Sequence, residues 1–393
     1  MLVAFDGTWN TKKDNDTEYR NTNVWRFYET YHANSRGAHD VYRAGIGTRY
    51  GLAGRLVGGA FGAGELPRLN EAYEHVCRAW DEGDRAIDII GFSRGAATAL
   101  DFCNLIQQRG VRRPASETVV EPNATIRFLG LWDVVAAFGL GFLGVQELNL
   151  GHHLSLPHDR LEYCFHAMAL DERRLSFLPT RLGGAYEVWF RGVHSDVGGG
   201  NANRGLNDIA LRWMMRKAQA AGLPILEDDI AALRPDPTAR PKPHDHLSLD
   251  LRLVSAVDRL HYTIMPLPGL CTPPGTCTIE TEADERRASK VGDVVVYPIE
   301  VRGRIAALLA QAEATAKAAG YSLGESRDPL VALIQGRVAL VTDNADMEKA
   351  RDATTRLVSR MVRVARQNSW PALNDYMLTN ALYYLRPLYP FTD

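Results

Sequence analysis

An α/β fold, with a mainly parallel sheet flanked by helices, is predicted by three features of the 393-residue chain. Buried-strand patterns alternate with helical periodicity through the first 222 residues, as expected of parallel strands joined by crossover helices. The strands end in polar punctuation on their C-terminal side: Asp6-Gly7, Trp132-Asp133 and Gly192-Val193-His194. One strand runs straight into Gly91-Phe92-Ser93-Arg94-Gly95 and then into small residues able to open a helix.

Taken in order, Met1 to Phe5 reads as a buried strand halted by the polar turn that begins at Asp6, and a first helix follows around Val24 to Tyr31. His39 to Tyr42 fits a second short strand ending at Gly45-Ile46-Gly47-Thr48. Residues 51–64 are glycine-rich yet apolar (Leu52, Leu56, Val57, Phe61), which predicts a surface loop. Leu66 to Trp80 has helical periodicity, and the Asp81-Glu82-Gly83-Asp84 turn leads into the strand before Ser93. Beyond the next helix, Thr125 to Leu131 is a buried strand, 136–145 a second glycine-rich apolar segment, and Glu187 to Arg191 a further strand. Residues 205–222 read as an amphipathic helix.

From Leu223 to about Lys290 the chain is richer in proline and charge, and Pro235, Pro237, Pro241 and Pro243 interrupt regular structure. Val294 to Ile299 fits a strand, followed by helical patterns at 303–319 and 346–368. The expected organisation is therefore a catalytic core over 1–222, an irregular connecting segment over 223–290, and a mostly helical C-terminal region over 291–393 that packs on the core.

Composition narrows the function. With 46% hydrophobic and 23% charged residues the chain can bury a large core, and a formal net charge of -2 gives no electrostatic reason to expect a nucleic-acid partner. No apolar run of membrane-spanning length and no signal-peptide pattern is present at the N-terminus, so the expectation is cytoplasmic synthesis without a signal peptide. Five scattered cysteines (Cys77, Cys103, Cys164, Cys271, Cys277) do not form a disulfide framework. Cys271 and Cys277 flank a turn and could bridge in an oxidising compartment; two free thiols are the expected state.

The strand leading into Gly91-x-Ser93-x-Gly95 is the nucleophile-elbow pattern of α/β-hydrolases. The glycines two positions either side of Ser93 allow the sharp strand-to-helix turn that lifts the serine oxygen above the sheet edge. The helix behind it favours developing negative charge. A serine nucleophile needs a base and an acid to orient that base, in chain order Ser, Asp or Glu, His. Asp133 and His194 each follow a later strand, at the edge where a parallel sheet would deliver them beside Ser93.

Rival assignments exist for both roles. His75 falls in a helix and His166 in a stretch read as helical, which suits packed or surface histidines better than a base at a strand end. Asp101 lies about two turns along the elbow helix, facing away. Asp196, two residues beyond His194, is the rival acid, although a turn aspartate commonly bonds its own loop's amides. The oxyanion hole is expected to use the Arg94 amide and a second amide from Gly7 or Thr8. Phe5-Asp6-Gly7-Thr8 lacks the first aspartate of a phosphatase Asp-x-Asp-Gly-Thr loop, that position being Ala4. Asp6, Asn10 and Asp196 are oxygen donors that could meet a hard cation, but loop hydrogen bonding accounts for them equally, and no metal or other cofactor is expected.

The glycine-rich segments 51–64 and 136–145 carry Phe61, Phe138, Leu140, Phe142 and Leu143, the combination expected of a lid or interfacial rim; ordinary packing over the sheet is the alternative.

FDGTWN at 5–10, GIGT at 45–48, GGAFGAG at 58–64, GFSRGAA at 91–97, LGLWDVV at 129–135, HAMALDERR at 166–174 and RGVHSDVGGG at 191–200 occur in that order. Over about the first 215 residues the chain thereby resembles the DUF2235 family of α/β-hydrolases, which includes the Tle1-type phospholipase effectors of bacterial type VI secretion. The resemblance implies a serine hydrolase acting on phospholipid acyl esters, with Ser93 matching the nucleophile and His194 the base. It also implies export by type VI secretion to a target cell's periplasm, contact with a membrane surface, and an immunity protein or secretion-apparatus partner. Residues beyond about 222 match no motif of the family. The expected function is thus a phospholipase A using Ser93, Asp133 and His194, with Arg94, Arg49 or Arg55 available to a lipid phosphate. A soluble non-lipid carboxylesterase and a catalytically idle binding or scaffold protein are the alternatives.

Overall fold

The computed structural model describes residues 1–294 apart from 8–9, 11, 36–38, 46–59, 136–155, 173–176, 178–181, 183, 242–253, 255–257, 267–269, 274 and 276. These residues fall within one compact unit covering Met1–Ala137 and Asn149–Val295. Among them, the elements in chain order are β1 (Leu2–Phe5), α1 (Asn23–Ser35), β2 (Val41–Arg43), α2 (Ala60–Asp81), β3 (Ile87–Phe92) and α3 (Arg94–Arg109). A small hairpin of β4 (Val111–Arg112) and β5 (Val119–Glu121) precedes β6 (Ile126–Trp132), β7 (Leu161–Ala169) and β8 (Tyr186–Phe190). Then come α4 (His194–Gly198), α5 (Arg204–Ala220), α6 (Glu227–Ala231), β9 (Arg259–His261), β10 (Thr278–Glu280) and α7 (Glu282–Glu285).

Eight strands form one sheet in the order β10-β9-β8-β7-β6-β3-β1-β2, and every neighbouring pair is parallel. This is the expected α/β-hydrolase-like architecture. Because strand side chains alternate, Val3 and Phe5 face one layer while Leu2 and Ala4 face the other. The first layer is built by α2 and α3 through residues such as Tyr73, Val76, Leu100 and Ile106. The second is built by α1 and α5 through Phe27, Tyr31, Trp213 and Met214. The strand order reverses between β1 and β3, and in open parallel sheets ligands bind beyond the carboxyl ends of the strands at such a point. Asp6 and Ser93 stand there.

Three expectations need correction. His166 lies on a strand, since Leu161–Ala169 is the fully paired β7 between β6 and β8. From Cys164 to Ala169 this central strand is buried on both faces, so it lacks the alternation that would identify it. Residues 60–64 belong to the first turns of α2 instead of a loop. Within 223–290 the chain is not wholly irregular, because β9 and β10 extend the sheet from β8. The helical patterns at 303–319 and 346–368 and the segment 136–145 lie outside the described residues. No described helix is long and apolar enough to cross a membrane.

The outer strands are held by buried charge. Lys217 of α5 is buried and pairs with Glu280 at 2.7 Å, while its ammonium also donates to the carbonyls of Asp284 and Arg287. Glu280 further accepts from Trp213 Nε1 at 3.1 Å and from the Tyr186 hydroxyl. His261 bridges Thr263 and Glu285. Cys271 and Cys277 adjoin one apolar cluster with Met168, Leu170 and Trp189.

Candidate active site

Ser93 joins β3 to α3 with φ 58° and ψ -123°, a left-handed backbone that a non-glycine residue adopts only under constraint. The constraint is visible at the flanking glycines. A Cβ on Gly91 would stand 2.6 Å from the Ala96 Cα and from the Gly95 carbonyl oxygen, and one on Gly95 would strike the carbonyls of Phe5 and Asp6. The elbow is thus wedged against the end of β1. Its backbone is also tied to the next strand end, with Ser93 N donating to Trp132 O at 3.0 Å and Val135 N donating to Ser93 O at 3.3 Å.

Asp133 follows β6 with φ 40° and is fully buried. Its amide donates to Ala167 O at 2.7 Å, and its Oδ1 accepts from Ala169 N at 2.9 Å. Oδ2 is left facing His194, whose Nδ1 lies 2.7 Å away. A carboxylate at that distance accepts the hydrogen bond of Nδ1–H in the neutral ring, so Nε2 is the nitrogen left to accept a proton. The imidazole is held between two aromatic rings, Phe92 at 4.6 Å and Phe177 at 4.8 Å between centroids. Phe92 is the residue before Ser93, so the elbow itself forms one wall of the histidine's seat. Gly198 admits that ring, since a Cβ there would overlap it.

Asp196 takes another part. Its Oδ2 accepts from Val193 N at 3.0 Å, and its Oδ1 accepts from Asn201 Nδ2 at 2.6 Å and Asn203 Nδ2 at 2.8 Å. It therefore caps the short helix α4, whose first residue is His194. Its carboxylate organises the loop that carries His194, and the carboxylate in contact with the imidazole is that of Asp133.

The oxyanion candidates fare differently. Arg94 is the first residue of α3, at the helix end where backbone amides point outward. The Gly7 amide donates to Asp6 Oδ1 at 2.7 Å, so in this conformation it is spent on its neighbour's carboxylate. Thr8, Arg49 and Arg55 lie outside the described residues, as do the side chains of Phe61, Phe138, Leu140, Phe142 and Leu143. Asp6 also accepts from the hydroxyls of Thr22 at 2.6 Å and Tyr42 at 2.5 Å. Burial outweighs those three bonds and pushes its carboxyl up to about 6. Asp6 and Asp196 are each bonded by protein donors.

His166 is buried on β7 with Nε2 accepting from Val134 N at 3.1 Å. Nδ1 must then carry the proton, and it donates to Glu187 Oε1 at 3.0 Å. His75 sits on α2 and contacts the His39 carbonyl, and Asp101 is on α3. Reading the sequence for catalytic groups passes over Asp171 and Glu172. Asp171 Oδ2 accepts from Gly192 N at 2.8 Å, its Oδ1 accepts from Arg191 Nη1 at 2.6 Å, and Glu172 Oε2 accepts from His194 N at 3.1 Å. Two adjacent acids closing a strand were the available signal.

The family model for the catalytic domain of Tle1-like phospholipase effectors of the type VI secretion system matches residues 1–121 and 111–217, more than half of the chain. A solved structure of the Tle1 effector bound to the VgrG spike from the type VI secretion system is similar at 24% identity with a TM-score of 0.33. The match covers 51% of this chain and 50% of that one, so this chain spans about half the length of its solved relative. No curated protein matches the chain.

Proposed function

The chain belongs to the Tle1-like family of type VI secretion phospholipase effectors through their catalytic domain, and from that premise we propose that it is a phospholipase A working through Ser93, Asp133 and His194. The observation that carries this reading is the 2.7 Å contact of His194 Nδ1 with the buried Asp133 carboxylate, on an imidazole packed against Phe92, the neighbour of a serine on a strained elbow. In this reading His194 Nε2 takes the Ser93 hydroxyl proton as Oγ attacks the acyl carbonyl of a phospholipid ester. The Arg94 amide meets the oxyanion from the end of α3. The tetrahedral intermediate collapses, the ester C–O bond breaks, and the lysophospholipid alcohol leaves with the proton returned by His194. Water, deprotonated by the same nitrogen, then attacks the acyl-serine and frees the fatty acid.

Membrane-surface contact, delivery by the secretion apparatus into a target cell's periplasm, and a protective immunity protein in the producing cell belong to the same proposal, on the strength of the family. The test is labelling by a fluorophosphonate together with mass-spectrometric analysis of products from defined phospholipids. Labelling that vanishes in Ser93→Ala, with release of one fatty acid and one lysophospholipid, is the expected result. Labelling that persists in Ser93→Ala overturns the nucleophile. Equal turnover of monomeric and aggregated esters without phospholipid cleavage favours a soluble carboxylesterase.

A further inference from the structure

Strand β7 supplies no member of the triad, yet it separates the strand that delivers the acid from the strand that delivers the base. Both catalytic loops are bonded to it. On the acid side the Asp133 amide donates to Ala167 O, Ala169 N donates to Asp133 Oδ1, and Val134 N donates to His166 Nε2. The His166 ring cannot swivel away, because its other nitrogen is held by Glu187, whose same oxygen also accepts from Leu182 N at 2.8 Å. On the base side Asp171 N donates to Gly192 O at 2.9 Å and Asp171 Oδ2 accepts from Gly192 N, a reciprocal pair that continues the strand pairing beyond β8. Glu172 then accepts from the amide of His194 itself.

We propose that β7 and the Asp171-Glu172 pair form a bridge that sets the distance between acid and base, with His166 and Glu172 as positioning residues of the hydrolysis. The proposal rests on the triad reading above. Glu172 acts on the imidazole through the His194 amide, and His166 acts on Asp133 through the amide of the next residue. Neither needs to touch substrate.

Several features favour positioning over plain core packing. Polar groups this deeply buried are costly unless each is bonded, and apolar residues would fill the same volume at less risk. Glu172 and His166 are 2% and 0% exposed, and each spends an acceptor on the backbone of, or next to, a triad member. Asp133 also holds a left-handed backbone (φ 40°), which the surrounding bonds must over-determine if it is to persist. The remaining Asp171 oxygen accepts from Arg191 Nη1 and from Cys271 N at 3.2 Å, which fixes the bridge from the far side.

The test compares a variant that keeps the acceptor with one that removes it, on a soluble p-nitrophenyl ester so that lipid specificity plays no part. Glu172→Met and His166→Met remove the acceptor, while Glu172→Gln and His166→Gln retain one. Active sites are counted by fluorophosphonate titration, and kcat is taken per titrated site, so a variant that merely misfolds is not mistaken for a slow one.

The expected result is a fall in kcat of about 10- to 100-fold in the methionine variants with KM little changed, the size that loosened geometry produces. The glutamine variants should recover most of the loss. Methionine variants with parental kcat per titrated site would overturn the proposal, and so would glutamine variants as slow as their methionine counterparts. Ser93→Ala is run alongside: if it still hydrolyses the ester, the triad reading itself has failed, and the bridge has no function to serve.

Discussion

His194 Nδ1 meets Asp133 Oδ2 at 2.7 Å, although the two residues follow strands β8 and β6, which are separated in the sheet by β7. The contact fixes the tautomer and leaves Nε2 as the only ring nitrogen able to take a serine proton. Asp133→Asn substitutes an amide that can present the wrong partner to Nδ1, and kcat on an activated ester is expected to fall by about 10³- to 10⁴-fold. Asp196→Asn keeps an acceptor for the α4 cap but weakens the bonds to Asn201 and Asn203. Its kcat should stay within about tenfold of the parent, with the larger effect a lowered melting temperature from the loss of part of a cap worth ~1 kcal/mol. Side-by-side kinetics of the two purified variants decide the matter, and a greater loss in Asp196→Asn would reverse the assignment.

Gly95 stands where the elbow crosses the end of β1, and a Cβ there would strike two backbone carbonyls that no rotamer change can move aside. Gly95→Ala should therefore cost at least the ~1–3 kcal/mol typical of overpacking. Because the elbow must shift to relieve the clash, fluorophosphonate labelling should slow as well. Urea unfolding with the labelling rate measured on the folded fraction checks both. A variant with parental stability would mean that the elbow and β1 are less tightly wedged than the geometry indicates.

Asp6 makes stability depend on pH in an unusual direction for a carboxylate. Burial raises its folded value to about 6 from an unfolded value near 3.8. The folded state therefore binds the proton more tightly, and the resulting stability is fully present below the unfolded value and lost as pH rises through about 6. Asp6→Asn carries no such dependence. Relative to the parent, it should gain on the order of 2–3 kcal/mol of unfolding free energy between pH 4 and pH 8. Parallel denaturation series at the two pH values test this, and a difference that stays constant with pH would rule out a raised Asp6.

The elbow could be read from the sequence because its chemistry is local: Gly91, Ser93 and Gly95 must be adjacent for the turn to close. Asp133 and His194 were reachable because strand ends in a parallel sheet share one edge, so strand order alone brought them together. Strand β7 escaped notice because both its faces are buried, and Phe165, His166 and Met168 then show no alternation. Without β7 the partners of His166, Asp171 and Glu172 are not legible, because they lie on neighbouring segments in space. The engagement of Gly7 by Asp6 was equally hidden, since a glycine at a strand end looks the same whether its amide is available to an oxyanion or already spent. Strands β9 and β10 are three residues each, too short for periodicity to register among prolines and charges.

The sheet continues into 259–280, and its outer edge depends on Lys217 and Glu280, both 1% exposed in their side chains and paired at 2.7 Å. Desolvation lowers the Lys217 ammonium, with Glu280 pulling the other way. Removing one member leaves the other buried without its partner. Lys217→Met and Glu280→Gln should each destabilise the protein, by up to ~3–5 kcal/mol where a full charge is stranded. The double variant removes both charges, and its cost should fall short of the sum of the single costs by about 0.5–3 kcal/mol, the coupling seen for contacting residues. Equilibrium unfolding of all four proteins closes the cycle. Strictly additive costs would show that residues 278–287 do not dock on α5, and the sheet would then end at β8.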